Sequence, residues 1–241
     1  MKRTLSLLFL SLAVMLGLSM AAMAQDTIHF NGNTQSFWHV GTGIYYGTLN
    51  GSSMSFTCDD FLDGVSTSGQ TWEAHPYTIT QLPSTQVVWG GTLSNSHPIT
   101  GENDLGVALA TPRGQVQAYD EVLWLAQMII GGVSNSTADA LSYAIWAILD
   151  SPPASNFPTG TAGASGWINQ ADTWYSTTCN GNQAACNTLL ANMVIYVPYS
   201  WTSSGPPQEF VGETPEPVSM ALMGTFLTLA GLALGKKKLF S

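Results

Sequence analysis

An apolar stretch from Val218 to Gly235, free of charge and closed by Lys236-Lys237-Lys238, constrains this chain more than any other feature. At about 1.5 Å of rise per residue, a helix of that length nearly crosses a hydrocarbon core of about 30 Å. The lysines beyond it can snorkel to the headgroups. Pro215 and Pro217, just before it, break any helix entering from the preceding residues. The start of the chain has a matching constraint. Lys2 and Arg3 precede an uncharged apolar run, Leu5 to Met23, and Ala22-Met23-Ala24 puts small residues at the −3 and −1 positions before Gln25. That is the layout of a secretory signal peptide with cleavage after Ala24, an uncleaved anchor being the alternative. The three lysines would stop transfer and stay on the cytoplasmic side. The chain thus divides into a signal segment 1–24, a folded exported body 25–213 and an apolar tail 214–241. Globular structure is left to the body, about 190 residues, enough for one domain with a real core.

The net charge of −9 hides an asymmetry. Five of the six basic residues lie in the two end segments, and Arg113 alone remains for the body. All fifteen acidic residues fall between Asp26 and Glu216, so the exported part carries fifteen negative charges against one positive, a net of −14. Such a surface repels nucleic acid and anionic lipid. Few charges among many Ser, Thr, Asn, Gly and aromatic residues suit an extracellular β-rich protein.

Export exposes the three cysteines to oxidising conditions. Cys179 and Cys186 bracket Asn-Gly-Asn-Gln-Ala-Ala, a loop that a disulfide can close. Metal ligation by the pair is the alternative, but no other Cys or His stands nearby in the sequence, so the disulfide is expected. Cys58 is then the odd thiol, which can be buried and inert, intermolecularly linked or reactive.

Along the body, Phe37 to Val40, Gly43 to Tyr46, Met54 to Cys58, Trp72 to Thr80 and Gln86 to Trp89 read as strands, with Asn50-Gly51 as a hairpin turn. From Gln115 the period changes. Val116, Tyr119, Leu123, Gln127 and Ile130 recur at helical steps up to Gly131-Gly132. A second helix, capped by Ser136 or Thr137, turns Leu141, Ala144, Ile145, Ile148 and Leu149 inward and stops before Pro152-Pro153. A third spans about Ala164 to Tyr175, and Met193 to Val197 reads as a buried strand. The predicted class is α+β: a β-rich body, sandwich or barrel-like, with a central two- to three-helix segment, plus the N-terminal signal helix and a C-terminal transmembrane helix.

Pro215-Glu216-Pro217, the apolar run and the terminal lysines together resemble the PEP-CTERM sorting signal of Gram-negative bacteria. The resemblance implies that an exosortase, a membrane enzyme, recognises the tripeptide and processes the tail. It also implies a surface associated with exopolysaccharide or biofilm. Two body segments carry a second likeness. Phe56-Thr57-Cys58-Asp59-Asp60, and Tyr119 to Leu125 leading on to Tyr143-Ala144-Ile145-Trp146-Ala147-Ile148-Leu149-Asp150, are similar to thioester domains of bacterial surface adhesins. In those domains a strand cysteine is bonded to a glutamine two residues before Ala-Ile-Trp. Here that position is Ser142. A thioester needs a thiol and a carboxamide whose ammonia is displaced, and a hydroxyl supplies no acyl carbon. Gln127 on the preceding helix is the nearest substitute, but its helical spacing places it in the core.

Other constellations have a bland reading that outweighs the chemical one. His29, His39, His75 and His97 could serve Cys58 as a base, yet none lies in a cysteine-hydrolase motif, and a buried strand thiol is the simpler reading. Asp59, Asp60 and Asp63 lack the alternating ladder of a calcium loop. Tyr45, Tyr46, Trp72 and Trp89 could form a sugar-stacking platform, but aromatics at strand spacing more often fill a core. No serine-hydrolase elbow, zinc motif, phosphate loop or dinucleotide fingerprint occurs. The expectation is a non-catalytic surface or extracellular-matrix protein without cofactor or metal, first anchored in the inner membrane as a precursor. Signal peptidase and exosortase would process it, and exopolysaccharide or other surface proteins, not nucleic acid, would be its partners. The alternatives are a covalent adhesin using Cys58 and a carbohydrate-binding module.

Overall fold

The computed structural model describes residues 26–37, 40–59, 69–84, 101–102, 108–109, 114–149, 163–198 and 208–214. The signal segment, the Pro215-Glu216-Pro217 tail with its lysines, and the expected strand Gln86 to Trp89 lie outside them. Among the described residues no helix is long and apolar enough to cross a membrane.

The elements run β1 (Asp26–Phe37), β2 (Val40–Leu49), β3 (Ser52–Cys58), β4 (Thr71–Tyr77), a 3-10 helix (Ile79–Ser84), β5 (Gly101–Glu102), β6 (Ala108–Leu109), α1 (Gln115–Ile130), α2 (Asn135–Leu149), α3 (Ala164–Thr178), α4 (Gln183–Leu189), β7 (Met193–Pro198) and β8 (Phe210–Glu213). Six of the strands close a barrel in the order β1-β2-β3-β8-β7-β4, every neighbouring pair antiparallel. Closure leaves no unpaired edge. With four helices among the described residues, the architecture is α+β, and barrel rather than sandwich.

Local chemistry explains the hairpin that joins β2 to β3. Asn50 and Gly51 both adopt positive φ, 52° and 81°, and Leu49 pairs with Ser52 across them. Two consecutive left-handed residues make the turn whose twist matches the flanking strands. Strand β1 contacts β2 along its length and β4 at its start, with register irregularities between Phe30 and Gly32 and between Asn33 and Gln35. Such irregularities bend a strand, which a narrow barrel requires.

A barrel of six strands has room only for side chains. Phe210 is the hub of that interior, its ring 6.4 Å from Phe30, 5.3 Å from Tyr45, 5.8 Å from Phe56 and 5.7 Å from Trp72. Phe56 also meets Tyr196 edge-on at 5.6 Å. The outer faces of β7 and β8 are buried as well, at Met193, Ile195 and Val211. That is why Met193 to Val197 reads as an unbroken apolar run.

The expected strand Phe37 to Val40 is divided: Phe37 ends β1 and Val40, its antiparallel partner, opens β2. Other boundaries differ from the sequence expectation as well. Strand β4 stops at Tyr77 rather than Thr80, because the Thr78 N–H turns to the Gln81 side-chain oxygen at 2.7 Å and the chain winds into the 3-10 helix. Helix α2 starts at Asn135, with Ser134 Oγ accepting the Thr137 N–H at 3.4 Å, so Ser134 replaces Ser136 or Thr137 as the capping residue. Helix α3 continues past Tyr175 to Thr178. The expected inward residues of α2 are all buried, whereas on α1 Val116, Gln127 and Ile130 are only half-buried. Asp120 and Glu121 are buried there instead. Trp124 of α1 stacks on Trp174 of α3 at 5.3 Å and 11°, tying the helical layer together.

Candidate functional site

Two places bring chemistry-bearing residues together. The first is where α2 meets β2 and β3. Cys58 closes β3, and its register partner across β8 is Phe210, so its side chain faces the barrel interior. It is 1 % exposed and outside any disulfide. On β2, Tyr45 pairs with Phe56, two residues short of Gly43 on one strand and of Cys58 on the other. The buried Gly43 N–H donates to Ser142 Oγ at 3.0 Å, and the Thr57 hydroxyl donates to the Gly43 carbonyl at 3.3 Å. From one helical turn further along α2, the indole N–H of Trp146 donates to the Cys58 carbonyl at 3.1 Å. Ser142 and Thr57, the chain neighbour of Cys58, therefore both bond to a single residue, Gly43, whose φ of 75° suits only glycine well.

Tyr45 lines the same pocket of structure. Burial, followed by the neighbouring Cys58 thiol, holds its hydroxyl well above the ordinary phenol range. That hydroxyl donates to the Gly41 carbonyl at 2.7 Å. Beside it, the Thr42 hydroxyl donates to Asp139 Oδ1 at 2.5 Å, a further link from β2 to α2. The arrangement is a hydrogen-bonded seam between barrel and helix with a thiol at its centre. Of the other expected residues, Gln127 is half-buried near the C-terminal end of α1, not in the core. Its carbonyl accepts the Gly131 N–H at 2.9 Å.

The other sequence candidates scatter. His29 lies on the outer face of β1, its Nδ1 2.7 Å from Thr71 Oγ1. His75 is half-buried beside Tyr77. His39 and His97 lie outside the described residues. Asp59 is buried, while Asp60 and Asp63 are not described. Tyr45 and Trp72 point into the barrel and Tyr46 out of it at 47 % exposure, so these three form no common platform; Trp89 is not described.

The second place is around the cysteine pair. Cys179 caps α3 and Cys186 sits on α4; they are disulfide-bonded with Cα atoms 5.3 Å apart, the pairing expected from the sequence. Against them lies Asp120 of α1, a residue that sequence reasoning missed. Helical spacing from Tyr119 and Leu123 is its only signal, and a carboxylate in a buried helix is easily read as facing solvent. Asp120 is fully buried, and burial pushes its carboxyl up to about 6, an effect that a hydrogen bond from Gln183 opposes. On the barrel side of α1, Tyr119 donates to Glu209 Oε1 at 2.6 Å, both groups buried.

No known protein family, curated protein or solved structure matches the chain.

Proposed function

We propose that this chain is an exported, exosortase-sorted surface protein whose body has a structural or adhesive role in the cell envelope or extracellular matrix. The observation that carries the reading is the ordered pair of end signals. These are a basic, apolar, Ala-x-Ala start and a finish of Pro215-Glu216-Pro217, an uncharged apolar run and Lys236-Lys237-Lys238. On this reading signal peptidase and an exosortase process the chain at the inner membrane. The acidic body then meets exopolysaccharide or other surface proteins rather than nucleic acid. Catalysis is no part of it: Cys58 is shut off from solvent, and His29 turns to Thr71 on the outer face of the barrel. The test is replacement of Pro215, Glu216 and Pro217 by alanine in the native host. Retention of unprocessed protein in the inner membrane is expected, and normal processing with surface display would overturn the reading.

A covalent adhesin remains the second reading, favoured by the bonds that tie the helix of Ser142 to Gly43 and, through Trp146, to the Cys58 carbonyl. Its weakness is chemical, because the Ser142 hydroxyl cannot donate an acyl group. The intact mass of the mature protein distinguishes the two. A deficit of one ammonia beyond the disulfide would establish an internal thioester formed with another carboxamide.

A further inference from the structure

The carboxylate of Asp120 is held in a half-finished state. Its Oδ2 accepts the Gln183 side-chain N–H at 2.9 Å, and Gln183 is itself braced against Asn187 Oδ1 at 3.2 Å. Its Oδ1 is equally buried and has no hydrogen-bond partner among the described residues. Buried carboxylate oxygens are rarely left so, because desolvation without a compensating bond is costly. The ligand atoms of Asp120, Cys179 and Cys186 all lie within 4.8 Å of one another. Two thiolates and a carboxylate oxygen are the donors a zinc site uses. With Zn–S of about 2.3 Å and Zn–O of about 2.0–2.2 Å, tetrahedral donors sit roughly 3.5–3.8 Å apart. Once the sulfurs part, the observed cluster needs little movement to reach that spacing. Gln183 already does what the outer partner of a metal-bound carboxylate does: it fixes one oxygen and leaves the other open for a ligand bond.

We propose that Cys179, Cys186 and Asp120 form a redox-gated Zn²⁺ site, closed while the disulfide is intact and occupied when it is reduced. The opening step needs a dithiol reductant. One of its thiolates attacks a cysteine sulfur and breaks the S–S bond through a mixed disulfide; its second thiol then resolves that bond. Two electrons and two protons pass to Cys179 and Cys186, and the donor leaves as its own disulfide. Zn²⁺ displaces both thiol protons, Asp120 Oδ1 is the third ligand and water the fourth.

The test uses the full chain carrying Cys58→Ser, so that only the paired cysteines contribute thiols. After reduction with a phosphine and anaerobic removal of the reductant, Zn²⁺ is titrated against a chromophoric chelator. One Zn²⁺ per reduced chain is expected and none for the oxidised chain, with Co²⁺ giving thiolate charge-transfer absorption in the same stoichiometry. Asp120→Asn should weaken binding at least tenfold, and Gln183→Ala about tenfold or more, the usual loss when an outer partner is removed. A reduced chain that keeps its folded circular-dichroism spectrum yet takes up no Zn²⁺ would overturn the proposal. Equal affinity in Asp120→Asn would also overturn it, since the thiols alone would then be responsible. If reduction unfolds the chain, Zn²⁺ must restore the folded spectrum, and failure to do so counts equally against the site.

Discussion

Ser142 Oγ accepts the backbone N–H of Gly43 at 3.0 Å, both atoms buried between α2 and β2. The Ser142 hydroxyl is thus used to satisfy the barrel's backbone. Removing the hydroxyl orphans a buried N–H, so Ser142→Ala should cost about 1–3 kcal/mol in urea unfolding. Ser142→Gln tests the geometry instead. With Trp146, one turn along α2 from position 142, bonded to the Cys58 carbonyl, the introduced carboxamide comes to the thiol's end of the barrel. The expected outcome is a mass loss of one ammonia in the folded protein. An unchanged mass in a folded variant would show that the two positions do not meet.

Cys58 itself should be chemically silent in the native protein. It is 1 % exposed, faces the ring cluster around Phe210 and has its carbonyl held by Trp146. Alkylation is expected only as denaturant opens the core, and methylamine should add no mass to the wild-type chain. Rapid native alkylation would refute the packing described for β3.

Phe210 fills the barrel axis and touches four other rings. Phe210→Ala should therefore destabilise by about 3–5 kcal/mol in denaturant unfolding, the range for buried aromatics. An effect below about 1 kcal/mol, the scale of ordinary substitutions, would mean the interior collapses around the gap.

Cys179 and Cys186 should be recovered as one linked peptide when mapped without reduction. Closing so short a loop contributes about 2–3 kcal/mol in the chain-entropy model, so reduction without metal should lower stability by that order. Either cysteine found joined to Cys58 would contradict the structure.

What the sequence made legible was what period and turn chemistry control. Asn50-Gly51, the repeat on α2 and the apolar run of β7 are local signals, and each lies where it was expected. Strand β8 was not legible, because Phe210 to Glu213 is short and becomes a strand only through its two partners, β3 and β7. Helix α4 was missed for a similar reason, its polar residues between two cysteines giving no periodic face. The Gly43 seam and the Asp120 cluster were half legible. Cys58, Ser142 and the cysteine pair carried motifs. Gly43 and Asp120 join them only through contacts between elements about a hundred and about sixty residues apart in the chain.

The last expectation concerns alkaline pH. Burial, then Asp139, pushes Tyr143 up to about 12. Burial, then Cys58, raises Tyr45 well above its ordinary value, and burial, then Asp26, raises Tyr196. For an acid whose folded value is raised, the neutral form is the one that the fold favours. Its contribution is fully present below the unfolded value of about 10 and is lost as pH rises through the folded value. Stability should therefore fall from about pH 10 upward, with the unfolded chain releasing phenol protons that the folded chain retains. Phenolate absorbance should rise in two stages, the second coincident with loss of the folded circular-dichroism signal. Tyr143→Phe should flatten part of that pH dependence, since the replacement has no proton to lose; it gives up a long 3.5 Å bond to the Phe37 carbonyl. A single phenolate transition completed while the fold persists would show that these hydroxyls are open to solvent.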